Sequence, residues 1–317
     1  SRLTVPNGTT IDGDGHTISV PIPFLNEDGS VNTSCSSFGV FYIGSTNIVT
    51  LKNMKVMGGC STLTGYYGHQ GPAAIENYGK LIMENVTMTR SNRGIVNYSI
   101  AIMKNCNLIR NSAVYGAGLL NSSSGYIVMD GCSYTENIGT YSGHFGWGGG
   151  GAAENQGTMY LNNTTMSNNL SDECGSAINN YYGKLYIMNS TISGNTSIGT
   201  HDDGALRDNC GSVCAVNSII ADNKHIESSG IGAVAENDII SQGTYVNCVL
   251  GSGTNGKGTQ TNCKTASEDG SGIFADYYTE GLYTGLAGKE YTTDFTRTVL
   301  VKDGDSYTAP VSDTGLA

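Results

Sequence analysis

Charge is scarce in this sequence. Only 14% of its 317 residues are Asp, Glu, Lys or Arg, too few for a long helical or coiled-coil protein. Proline is scarcer, five residues against 45 glycines, so the glycines punctuate turns rather than mark a Pro-rich disordered chain. Lys and Arg number 16 against 27 acids, a formal net charge of −11. That balance argues against a nucleic-acid partner, because phosphate binding needs clustered cations. No apolar run is long enough to span a bilayer, so no membrane insertion is expected in this segment. The opening Ser1-Arg2-Leu3 is not a signal peptide, so any export signal is expected to have been removed or to lie outside this sequence. Nine cysteines leave at least one unable to pair within the chain.

Asparagine is abundant, with 30 residues, and it recurs. An apolar-x-Asn segment appears eight times, at Asn53, Asn85, Asn105, Gly131 (glycine in the Asn place), Asn163, Asn189, Asn217 and Asn247. A second Asn follows in six repeats, at Asn92, Asn111, Asn137, Asn169, Asn195 and Asn223. A third piece precedes each repeat from the second onward, from Ala74-Ile75-Glu76-Asn77 through Ala152-Ala153-Glu154-Asn155 to Ala205-Leu206-Arg207-Asp208 and Ala233-Val234-Ala235-Glu236. Within each piece apolar and polar residues alternate with the period of a strand. Val56, Met88, Leu108, Tyr134, Met166, Ile192, Ile220 and Leu250 form one inward column. No helical periodicity competes.

Three short strands per repeat, stacked turn on turn, predict an all-β right-handed parallel β-helix of about eight to nine coils. Asn tolerates the left-handed backbone of a tight bend, and its amide can pair with the Asn above and below in a ladder. Asn85, Asn105, Asn163, Asn189 and Asn217 are expected to stack as an internal ladder. The β-helix is expected over 1–263. Residues 264–317, rich in Tyr, Asp, Glu, Gly and Thr and without Asn, are expected to be a cap or packing arm covering an otherwise open solenoid end.

At these repeats the sequence resembles the right-handed parallel β-helix proteins of the pectate-lyase-like superfamily. The opening Ile11-Asp12-Gly13-Asp14-Gly15-His16 and coils such as Ser190-Thr191-Ile192-Ser193-Gly194-Asn195 carry the likeness, which covers roughly residues 3–250. It implies a secreted or cell-surface bacterial protein. The superfamily includes lyases, glycosidases and adhesins, so the fold does not choose among them.

Cys106, Cys132 and Cys248 fall in an inward column and read as buried apolar fillers. Cys35 with Cys60, or Cys210 with Cys214, are candidate disulfides. No Cys or His spacing suits zinc.

One connection, from the second Asn of a coil to the next strand, collects the reactive side chains, and loops on one face of a solenoid commonly form its binding surface. Tyr141, His144 and Trp147 could provide a platform for a sugar ring, or could fold back over the apolar side of the helix. Asp172, Glu173 and His225 are expected beside them as ligand contacts. His201, Asp202, Asp203 and Arg207 form the sharpest polar cluster. Acid pairs there suit general acid and base chemistry on a glycosidic bond or calcium, which takes oxygen ligands. Arg207 suits a uronate carboxylate. A solvated acidic loop is the bland alternative. No cofactor is expected other than that candidate calcium. Three functions remain open: an adhesin-like binder of polysaccharide or cell-surface glycan, a polysaccharide lyase or glycosidase in the same groove, and a stalk without a ligand.

Overall fold

The computed structural model describes residues 2–27, 32, 34–58, 72–139, 149–171, 174–199, 204–227, 234–236, 238–240, 242–251 and 258–265, and the strands Glu290–Tyr291, Val301–Asp303 and Ser306–Thr308. Among the described residues there is no helix. The chain forms a right-handed parallel β-helix. Its first sheet has nine parallel strands, including Ile75–Asn77, Ile95–Asn97, Leu119–Asn121, Ala153–Asn155, Ile178–Tyr181 and Leu206–Asn209. Nine coils at about 4.8 Å each make a rod on the order of 40 Å long.

The second sheet is wide and bends at the first Asn of each repeat. Strands such as Ile100–Lys104 form one half and Asn107–Ile109 the other, while Ile48–Met57 and Lys80–Thr89 run through both. The third sheet is built from short strands, among them Ser112–Ala113, Ile138–Gly139, Leu170–Ser171, Thr196–Gly199 and Lys224–Glu227. The second sheet continues through Lys264–Thr265, which pairs with Val249–Leu250, two residues past the boundary expected at 263. The three strands between 290 and 308 pair antiparallel. The rest of the expected cap lies outside the described residues.

The inward column from Val56 to Leu250 is buried as expected, and so are Cys106, Cys132 and Cys248. Cys35 is disulfide-bonded, and its expected partner Cys60 lies outside the described residues. The alternative pair is corrected: Cys210 and Cys214 are both thiols. Cys210 sits exposed at a left-handed bend and Cys214 within the strand Ser212–Val216.

The Asn pattern produces three ladders, and the internal one is not where the sequence reading put it. Asn53, Asn85, Asn105, Asn163, Asn189, Asn217 and Asn247 all adopt left-handed backbone, with φ between 48° and 55°. Several pair from coil to coil, as Asn85 Nδ2 does with Asn53 Oδ1 at 3.0 Å and Asn247 Nδ2 with Asn217 Oδ1 at 3.3 Å. However, Asn85 is exposed and the others are only half-buried. The bend turns these side chains toward the outside of the corner.

The other two Asn sets form the buried ladders. In one, each Nδ2 donates to the next Oδ1 from Asn77 through Asn97, Asn121, Asn155 and Asn180 to Asp208, at 2.6–2.9 Å. In the other the series is Asn111, Asn137, Asn169, Asn195, Asn223 and Asp238, at 2.7–3.0 Å. Asn92 is not part of it. The backbone N–H of Ser91 donates to Asn111 Oδ1, which gives Ser91 the ladder position one residue earlier.

Candidate active-site cleft on the first sheet

In the six strands of the first sheet that carry a ladder residue, that residue points inward, so the one before it points out. Register therefore aligns Glu76, Val96, Leu120, Glu154, Asn179 and Arg207 as one outward column. Its later members floor a cleft of about 390 Å³. Tyr115 and Cys174 line the same cleft, each bridged in parallel to Gly149 between them, and so form one wall. Tyr98, Gln156 and Tyr181, which follow the ladder residues in their coils, also line it. Arg93 sits in a bend with φ 77°. Its Nε and Nη2 both donate to the Tyr115 carbonyl, at 3.0 and 2.8 Å.

Glu154 is the electrostatic centre. It is only 3% exposed. Burial pushes its carboxyl above the usual range. Hydrogen bonds from Asn179 and Gln156, then the charges of Arg93 and Arg207, partly oppose that rise. Asn179 Nδ2 donates to Oε2 at 2.8 Å and Gln156 Nε2 to Oε1 at 3.2 Å. Burial also lowers the Arg93 guanidinium to about 10, a value at which it stays charged at neutral pH. Arg207 is half-buried and its Nη1 meets Cys174 Sγ. Asn179 is 94% buried, and its Oδ1 has no hydrogen-bond partner among the described residues. A buried acceptor without a donor is uncommon in a folded protein, and this one lies in the cleft floor between a carboxyl and a guanidinium.

Compared with protein-family models, with curated proteins and with solved structures, the chain matches none. The reading of the site therefore rests on its own geometry.

Arg207 points outward, as the strand alternation implied, and stands in register with Asn179, whose own neighbour is Glu154. Tyr141, His144, Trp147, Asp172, Glu173, His201, Asp202 and Asp203 lie outside the described residues. His225 belongs to the third sheet, in the buried column of Ala113, Gly139, Ser171 and Ser197. Its Nδ1 is 3.0 Å from Ser197 Oγ, and it does not line the Glu154 cleft. Among the described residues no group of three His, Cys, Asp or Glu is placed to hold a metal ion. The candidate calcium pair, Asp202 and Asp203, is outside them.

Glu154, Asn179 and Arg93 were not read as site residues. The signal was present for two of them. Where earlier coils place Val96 and Leu120 in the outward column, the next three place Glu154, Asn179 and Arg207, a change from apolar to hydrogen-bonding side chains in consecutive coils.

Proposed function

We propose that this chain is a secreted or cell-surface β-helix rod, related to the pectate-lyase-like superfamily, that binds a saccharide in the Glu154 cleft in the manner of an adhesin. The observation that carries this reading is the cleft lining, in which Arg207, Gln156 and three tyrosines surround the bonded Glu154–Asn179 pair. Arg207 and Arg93 supply donors for ring and carboxylate oxygens. Tyr98, Tyr115 and Tyr181 add amphipathic aromatic surface. The cleft volume falls within the usual range for small-ligand sites. The acidic surface, net charge −11, favours such a ligand over nucleic acid.

One observation favours a second reading, glycoside hydrolysis or lysis. A carboxyl raised by burial has the character of a general acid. Hydrolysis takes two carboxyl groups across the scissile bond, and Glu154 is the one carboxyl among the described residues lining the cleft. Binding is therefore the preferred reading.

The test is a glycan array, followed by titration of any hit against Asn179→Ala and Arg207→Gln, with folding checked by circular dichroism. Both variants should weaken binding, and reducing-end and unsaturated-uronate assays on the wild type should stay blank. A wild type that binds no glycan supports the stalk. Release of new reducing ends or unsaturated uronate supports the enzyme.

A further inference from the structure

A second concave surface lies on a different face of the rod, the outer side of the second half of the second sheet. It is a groove of about 680 Å³. Register places Lys55, Thr87, Asn107 and Ser133 side by side along its floor in four consecutive coils. Arg90, Arg110 and Glu136 project from left-handed bends along one edge. The excursion carrying Glu27 reaches the groove at its first coil, because Arg90 Nε donates to the Leu25 carbonyl at 2.7 Å and the Leu25 N–H to the Arg90 carbonyl at 3.2 Å.

The hydrogen bonds of the floor run in one direction. Ser133 Oγ donates to Asn107 Oδ1 at 2.7 Å, and Asn107 Nδ2 donates to Thr87 Oγ1 at 3.3 Å. Thr87 therefore has its own O–H left to give, and no described residue accepts it. The next residue of the column is Lys55, an exposed ammonium that makes no ion pair with a described residue. The column continues past Lys55 to Thr17, and the Lys55 ammonium and the Thr87 hydroxyl stand side by side as two donors that no described residue engages. Arg110 is held by Glu136 at 2.5 Å, whereas Arg90 Nη1 is 3.9 Å from Glu27. The lining carries three cations against two carboxylates, a local excess of positive charge on a protein of net charge −11. Floor groups repeat at about 4.8 Å, comparable with the rise of one pyranose along an extended glycan.

We propose that this groove is a second saccharide site, selective for a sugar bearing an anionic group. The anion sits at Lys55 and the Thr87 hydroxyl, and sugar hydroxyls meet Asn107 and Ser133. Carboxylate and sulfate share the acceptor chemistry. The site uses no residue of the Glu154 cleft, so the rod presents binding surfaces on two faces and can bridge two glycan strands.

Calorimetric titration with three oligosaccharides of equal length tests this: an oligouronate, a sulfated oligomer and a neutral β-glucan oligomer. At least one anionic oligomer should bind on the order of tenfold more tightly than the neutral one, which is the scale of one charged hydrogen bond, and whichever binds identifies the anion. The double variant Lys55→Gln, Thr87→Val should lose that preference by a similar factor. Lys55→Gln alone, a surface change, should lose part of it. With Arg207→Gln in the background, one binding event should persist, and the groove substitutions should abolish it. The proposal is overturned if neither anionic oligomer binds, if the neutral oligomer binds as well as they do, if the groove variants titrate like wild type, or if Arg207→Gln alone abolishes all binding.

Discussion

Replacing Asn137 with leucine tests whether the ladders of the second and third Asn positions, rather than that of the first, hold the rod together. Asn137 is fully buried. Its Oδ1 accepts both the backbone N–H and the Nδ2 of Asn111, at 3.1 and 3.0 Å. Its Nδ2 donates to the Leu108 carbonyl at 2.8 Å and to Asn169 Oδ1 at 3.0 Å. Leucine is of similar size and satisfies none of these groups. Asn169 Oδ1 keeps the backbone N–H of residue 137. The Asn111 N–H and one Asn111 Nδ2 hydrogen lose their partners, while the Leu108 carbonyl, in the middle of a paired strand, loses only its side-chain donor. Each buried orphan costs about 1–3 kcal/mol, and burying the leucine side chain returns roughly 2 kcal/mol. The net loss should be about 2–4 kcal/mol, a sizeable part of the stability of an ordinary domain.

The control is Asn85→Gly on the outer ladder. Glycine accepts the φ of 55° without strain. The substitution removes an exposed hydrogen bond to Asn53, so the change should be within about 1 kcal/mol. Both are read from equilibrium urea unfolding, comparing midpoints at unchanged slope. The reasoning fails if Asn137→Leu costs less than Asn85→Gly, or if the two are equal.

Glu154→Gln should alter the pH dependence of stability. A carboxyl raised in the folded state binds more protons there than in the unfolded chain, so its contribution is full below its ordinary value of 4.5 and is lost as pH rises through the raised value. Melting temperatures of wild type and variant should run parallel below 4.5 and separate as pH rises from there through the raised value, with the variant gaining; parallel curves throughout would refute the shift. Asp208, also raised by burial, is common to both proteins and cancels in the difference. For the thiols, burial pushes Cys132 well up and Cys248 to about 12, so neither should react with a maleimide until denaturant is added. Exposed Cys210 should react in the native protein, and fast native labelling of Cys132 would show that the inward column is wrong.

The coil was legible because its two signals are local: period-two alternation, and Asn at bends. The location of each ladder was harder to read, although the substitutions tolerated at each position held a clue. In the first Asn position residue 131 is glycine, with φ 63°. A place that accepts glycine is chosen for its backbone angle, not for an amide. In the two buried ladders the series end in Asp208 and Asp238, and an acid can replace an amide where only acceptance is needed. The cleft was half legible. Arg207 stood out in its outward column and lines the cleft, and its neighbours there follow from the same register. Arg93 reaches the site from a bend through two bonds to a backbone carbonyl, which side-chain patterning does not reveal.

The ladders and the cleft are connected through register. In both buried ladders every Nδ2 donates toward the later coil, and each series ends on a carboxylate oxygen that accepts. Aligned amides polarise one another, and the terminal charge-assisted bond is stronger than a neutral one. A slip of one residue in any coil of the first sheet would break its ladder bonds and also send the outward residue inward. For the coil of Ala153–Asn155 that would bury a carboxylate in the apolar core, where an isolated charge is prohibitively costly, and would leave Asn121 Nδ2 without Asn155 Oδ1, its partner at 2.9 Å. Glu154, Asn179 and Arg207 are 25 and 28 residues apart in sequence and become neighbours only because Asn155, Asn180 and Asp208 are bonded in series immediately beneath them. The polar interior of this rod therefore sets the alignment on which its outer cleft depends.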